Sequence, residues 1–298
     1  MTADASPRQS PIRQTTGAGL TALTLAVLAT VGSSLAIQLV AEDVPRIALG
    51  ILVTLLLCVG GALLRTRGRH RPVGDAVLAL GALSVFGWAS AVITSIPAVD
   101  RWLEAVPLAV AFLVVNATKL TSVAALVIIA VACGWTRDGL LFVRGRINGR
   151  TCVPGLRWPV VGPIVIVAVV ALFLTAPEVL ANFTGVRQVA DLLLPVLPFL
   201  LAGPLVNAVS EELLYRHALI TTLRPLIGAG VAVVVSSAIF GLGHVTGSPG
   251  GWTGVLFTFG YGLVSALAML QNRGTVWNTG IHFFADLAAI SALIIAAA

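Results

Sequence analysis

Between residues 211 and 286, within long apolar runs, the sequence places Glu211, Glu212, Arg216, His217, His244, His282 and Asp286. An ionisable side chain in hydrocarbon costs several kcal/mol, so each of these is a functional-site hypothesis by default. In the run Asn207-Ala-Val-Ser-Glu211-Glu212-Leu-Leu-Tyr215-Arg216, adjacent glutamates on a helix point about 100° apart and cannot do the same job. Glu212 and Arg216 are i, i+4 and stack on one face, which reads as a supporting ion pair. Glu211 is left free, with Asn207 one turn above as a hydrogen-bond donor. A lone carboxyl in a dry cavity can serve as general base or acid. The blander reading is a helix end with solvated charges.

Two further elements add imidazoles. Ser236-Ser-Ala-Ile-Phe240-Gly-Leu-Gly-His244 has Gly241 and Gly243, which let another backbone approach. Alone, His244 reads as a satisfied core histidine. His282-Phe-Phe-Ala-Asp286 puts imidazole and carboxyl on one helix face, able to orient a tautomer, bind a metal or stabilise an oxyanion. At 1.5 Å per residue from the nearest turn, Glu211 lies roughly 18 Å deep, His244 about 20 Å, His282 roughly 10 Å and Asp286 roughly 16 Å. Ordinary helix tilt lets all four share one layer.

The elements that must position them are membrane helices. The chain has 298 residues, 58% hydrophobic and only 10% charged, which excludes a soluble globular domain and a disordered one. Cys58, Cys133 and Cys152 have no metal-ligand spacing and read as small apolar fillers. The net charge of +6 is no pointer to nucleic acid in such a chain. Runs near 18–41, 47–64, 76–98, 105–134, 159–176, 189–223, 226–246, 252–271 and 275–297 are expected to span. The fold class is therefore all-α, a polytopic helical bundle of eight or nine spans.

The run 105–134 is kept as one crossing, because two would put the Arg65–Arg71 and Arg137–Arg157 clusters on opposite faces. The N-terminus is then cytoplasmic. Lys119, inside that run, reads as a lysine that snorkels or pairs with Asn116. His217 reads as solvated near the cytoplasmic turn. Tyr215, Tyr261, Trp277 and Asn278 read as interface anchors or as the rim of a cavity. Three regions are expected: a polar tail over 1–17, an N-terminal membrane module with an interfacial connector over 18–158, and a catalytic membrane domain over 159–298.

The ordered set Glu211-Glu212-Leu-Leu-Tyr-Arg216, Phe240-Gly-Leu-Gly-His244 and His282-Phe-Phe-Ala-Asp286 resembles the EExxxR, FxxxH and HxxxN/D motifs of the CPBP family of intramembrane proteases, also called the Abi or CaaX-protease family. The resemblance covers about 189–298. It implies an intramembrane endopeptidase in which Glu211 and His244 activate the attacking water. It gives oxyanion stabilisation to His282 and Asp286, and support to Glu212, Arg216 and Asn207. Asp286 departs from the asparagine of CaaX endopeptidases, and an ionised aspartate cannot donate to an oxyanion. The resemblance leaves two chemistries open: a metal-free one, which is preferred, and zinc held by a set drawn from His244, His282, Asp286 and Glu211.

The implied partners are a peptide or membrane-protein substrate and the bilayer, with no nucleic acid, in a multi-pass cell-membrane protein. One lysine against 17 arginines suggests a high-GC bacterial genome. A non-catalytic scaffold or chaperone retaining the fold is the alternative. A transporter is a further reading, opposed by the confinement of the motifs to one half.

Overall fold

The computed structural model of the protein describes residues 17–40, 42–247 and 250–298. The polar tail expected over 1–17 lies outside them except for Gly17. The α-helices are α1 (Gly17–Leu39), α2 (Asp43–Thr66), α3 (Arg71–Thr94), α4 (Pro97–Ala105), α5 (Leu108–Ala117), α6 (Leu120–Cys133) and α7 (Trp158–Leu174). They continue with α8 (Pro177–Asn182), α9 (Val186–Leu193), α10 (Leu197–Glu211), α11 (Thr221–Ile227), α12 (Ala229–Leu242), α13 (Gly251–Asn272) and α14 (Val276–Ala296). Among the described residues the only β pairing is an isolated bridge between Arg150 and Arg157. The protein is an all-α, multi-pass bundle.

Local chemistry sets the ends. Proline stands in the first turn of α3, α4, α7, α8 and α10, where its fixed φ suits a helix start and its missing N–H costs nothing. Gly134 closes α6 in the left-handed region at φ +68°.

Among the described residues, seven helical stretches are long and apolar enough to cross a membrane: Gly17–Leu39, Asp43–Thr66, Gly68–Thr94, Leu108–Cys133, Val186–Ile227, Gly251–Asn272 and Val276–Ala296. Two of the nine expected spans fall short, since α7 has 17 residues and α12 has 14. Proline and glycine punctuation trims them. The stretch Leu108–Cys133 stays one span of 26 residues, with a turn at Thr118 and Lys119 between α5 and α6.

Polarity is arranged inside out. Large apolar side chains of α2 (Leu52, Leu55, Leu56, Val59, Leu63) and α7 (Val160, Ile164, Val167) are exposed, whereas Glu212, Arg216, His217, Ser265 and Asn278 are fully buried. That is the pattern of a bundle solvated by lipid. The core runs through α3 (Val73, Val77, Leu80, Leu83) to Leu219, Ile220 and Leu223, and on to Ile239 and Met269.

The connector between α6 and α7 docks on the α13–α14 turn. The Arg146 amide donates to the Asn272 carbonyl at 2.7 Å, and the Thr275 amide donates to the Val143 carbonyl at 2.8 Å. Trp277 Nε1 donates to the Ile147 carbonyl at 2.8 Å, and its ring lies 6.5 Å from that of Trp158. Trp277 is thus an anchor for the connector. Gly145 sits at φ +73°, and a Cβ there would lie 2.6 Å from the Gly274 Cα, so the two backbones meet where no side chain fits.

Candidate active site

Glu211 and Glu212 stand where α10 gives way to a π-helix of nine residues, Glu212–Ile220. Hydrogen bonds from i to i+5 widen the turn, and such stretches are frequent at functional sites. Three other elements face this one: α14 with His282 and Asp286, the turn after α12 with His244, and the α5–α6 junction with Lys119.

Glu212 is the most heavily bonded member. Its Oε1 accepts from His282 Nδ1 at 2.8 Å. Its Oε2 accepts from Ser265 Oγ at 2.6 Å and from Asn278 Nδ2 at 2.8 Å. The expected pair with Arg216 is present, but Nε lies 3.6 Å from Oε2 and forms no hydrogen bond. The guanidinium instead lies 4.1 Å over the Phe240 ring, a cation–π contact. The expected Glu212–Arg216 pair thus stands as a contact of buried opposite charges, and Glu212 in addition holds His282.

Glu211 is not free. The Lys119 ammonium bonds both Glu211 Oε1 and Asn207 Oδ1, and all three residues are buried. Lys119 neither snorkels nor pairs with Asn116, whose amide donates to the Phe112 carbonyl at 2.8 Å. Asn207 also differs from expectation, because its Nδ2 donates to Asp286 Oδ2 at 2.7 Å rather than to Glu211. Glu211 Oε2 is buried without a hydrogen-bond partner, 3.4 Å from His282 Nε2. The same Nε2 is 3.7 Å from Asp286 Oδ2. One imidazole thus has Glu212 on one nitrogen and Glu211 and Asp286 beside the other.

His244 approaches this cluster across the Phe240 ring. Its Nδ1 donates to the Phe240 carbonyl at 2.8 Å, which leaves Nε2 as the open nitrogen. The Phe240 ring lies 4.6 Å from His244 and 6.1 Å from His282, so one aromatic separates the two imidazoles. Gly241 allows the close approach expected of it, since a Cβ there would meet the Val255 carbonyl of α13 at 2.8 Å. The turn carrying His244 is tied to α1: Gln38 Nε2 donates to the Leu242 carbonyl at 3.3 Å, and Gln38 Oε1 accepts from Thr246 Oγ1 at 3.1 Å.

His217 is fully buried, not solvated, with Nδ1 3.0 Å from the Leu140 carbonyl and Nε2 3.4 Å from Asn278 Nδ2. It links the connector to the residue that bonds Glu212. The Tyr261 ring packs 5.3 Å from His282, and its hydroxyl is buried without a partner. A cavity of about 230 Å³ lies alongside, lined by Ser33, Gln38 and Ser90 of α1 and α3 and by Phe86, Tyr215 and Gly243. Its walls therefore include the ring under Lys119, the neighbour of Arg216 and the neighbour of His244.

The donor set does not fit zinc. Among the described residues no group of three or more His, Cys, Asp or Glu is placed to hold a metal. The Lys119 ammonium already lies against Glu211, a cation where the metal would have to sit.

Residues 193–288 match the family model described as type II CAAX prenyl endopeptidase Rce1-like. That stretch is CaaX-protease-like. No curated protein and no solved structure matches the chain. The CaaX-protease-like stretch contains all three motifs, while Lys119 and Gln38 lie outside it.

Sequence reasoning missed Lys119, Ser265 and Gln38 as members of this neighbourhood. The signal for Lys119 was present: a single lysine in mid-span, of the kind that marks a site by default. Ser265 and Gln38 carry no charge and gave no comparable signal.

Proposed function

We propose that the protein is an intramembrane endopeptidase in which Glu211 activates water for attack on a peptide bond. The observation that carries this reading is Glu211 Oε2, a buried acceptor with no hydrogen-bond partner, 3.4 Å from an imidazole nitrogen. A water bound there gives a proton to Glu211 as its oxygen adds to the peptide carbonyl carbon. Glu211 then passes that proton to the amide nitrogen as the C–N bond breaks.

His282 with a proton on each nitrogen donates Nδ1–H to Glu212 and presents Nε2–H to the oxyanion. Asp286 accepts from Asn207 and orients His282, a part that does not require it to donate. His244 has Nε2 open to take a hydrogen bond from the attacking water. The match of 193–288 to an endopeptidase family supports the same chemistry.

The substrate is a peptide or membrane-associated protein. The arginine clusters at Arg65–Arg71 and Arg137–Arg157 support a cytoplasmic N-terminus in the cell membrane. The division into an 18–158 module and a 159–298 catalytic domain belongs to the same proposal.

The test is incubation of the purified protein, in detergent and in liposomes, with a farnesylated CaaX peptide and with casein peptides, read by mass spectrometry. Cleavage that adds water across one peptide bond, and is lost in Glu211→Gln and His244→Gln, is the expected result. No cleavage by the wild type, or cleavage that persists in both variants, overturns the reading.

A further inference from the structure

We propose that Lys119 is a positioning residue for Glu211, dividing its carboxylate into a held oxygen and a working one. This inference rests on the endopeptidase reading. Lys119 is 7% exposed and Glu211 6%, so both are buried inside the bundle. The ammonium has three protons and no acceptor capacity. It bonds Glu211 Oε1 and Asn207 Oδ1, and it lies 4.9 Å over the Phe86 ring. Two acceptors and one aromatic face thereby engage the cation, and its position is set from three elements, α3, α10 and the α5–α6 junction.

The consequence falls on Glu211. A carboxylate on a three-bond stem can present either oxygen to a cavity. With Oε1 fixed on Lys119, only Oε2 remains open, and it faces His282 Nε2 at 3.4 Å. Lys119 also fixes Asn207, whose Nδ2 donates to Asp286 at 2.7 Å. One lysine thus sets the rotation of Glu211 and, through Asn207, that of Asp286. It comes from outside the CaaX-protease-like stretch, so the N-terminal helices complete the site.

The test measures kcat and KM on whichever of the farnesylated CaaX or casein peptides the wild type cleaves, with the full chain in detergent. Lys119→Gln is expected to lower kcat about 100-fold with KM changed less than threefold, the size of effect that misplacing a reacting group by about 1 Å produces. Lys119→Arg, which keeps the cation, is expected to stay within tenfold of wild type. In a Glu211→Gln background Lys119→Gln is expected to remove far less from the residual rate, because the effect carried by Glu211 is already gone and only the path through Asn207 to Asp286 remains.

A Lys119→Gln protein with kcat within threefold of wild type overturns the inference. So does a loss that recurs in full in the Glu211→Gln background, or one matched by the fall in the monodisperse folded fraction on size exclusion. If the wild type is inert, or Glu211→Gln is fully active, the endopeptidase reading falls and this inference falls with it. If those two controls behave and Lys119→Gln is active, only this inference falls.

Discussion

Glu211 and Glu212 are adjacent in the chain, yet their carboxylates address opposite nitrogens of one imidazole. Glu212 Oε1 lies 2.8 Å from His282 Nδ1, and Glu211 Oε2 lies 3.4 Å from His282 Nε2. The division of labour follows from their surroundings. Glu212 is saturated by His282, Ser265 and Asn278, while Glu211 keeps one oxygen without a partner.

Glu212 is expected to matter first for folding. Glu212→Ala leaves Arg216 buried without its countercharge and frees His282, Ser265 and Asn278 from their common acceptor. Breaking a buried pair on one side costs about 3–5 kcal/mol. Thermal unfolding in detergent should show a large fall in Tm. A Glu212→Ala protein as stable as wild type would contradict the clamp.

Lys119 and Glu211 should be coupled in stability as well as in rate. Lys119→Met leaves a buried carboxylate without its cation and is expected to lower Tm strongly. Adding Glu211→Gln removes the uncompensated charge, so the double variant should recover most of the loss. Additive effects across this cycle would show that the two groups do not interact.

Gln38 is expected to act on the turn that carries His244. Gln38→Ala removes the bonds to Leu242 and Thr246 on an exposed to half-buried surface, a cost of about 1 kcal/mol or less per bond. The turnover number should fall about tenfold with little change in Tm. Equal falls in both would mean that α1 merely packs there.

The Gly145–Gly274 contact should be intolerant of a methyl group. Gly145→Ala adds a Cβ at 2.6 Å from Gly274 Cα in a backbone at φ +73°. A cost of about 1–3 kcal/mol is expected, read as a lower Tm and a connector more open to protease. An unchanged Tm would show that the dock is loose.

The fold and the site differ in how far the sequence reveals them. Long apolar runs broken by proline and glycine specify membrane helices almost by themselves, and the all-α bundle follows from them. The helices α7 and α12 are present but shorter than their apolar runs, because hydropathy continues through apolar turns that the helix leaves.

In the site, Glu211, His282 and Asp286 are brought together as their helix faces predict. What stayed hidden is which oxygen bonds which nitrogen. Helix geometry pairs Glu212 with Arg216, which stands 3.6 Å away, but it does not reveal that Ser265 of α13 and Asn278 and His282 of α14 also bond that carboxylate. Lys119 is 92 residues from Glu211 in the chain, and no local periodicity connects the two.

The most direct measurement is kcat/KM for peptide cleavage by wild type, Glu211→Gln and His244→Gln, each verified as folded by its Tm. Loss of a general base costs about 10²–10⁴-fold, so Glu211→Gln should fall by at least about 100-fold, and His244→Gln should fall steeply too, each assayed well below its own Tm because Glu211→Gln also leaves the buried Lys119 without its countercharge. Turnover in Glu211→Gln within a few-fold of wild type would contradict a glutamate-activated water.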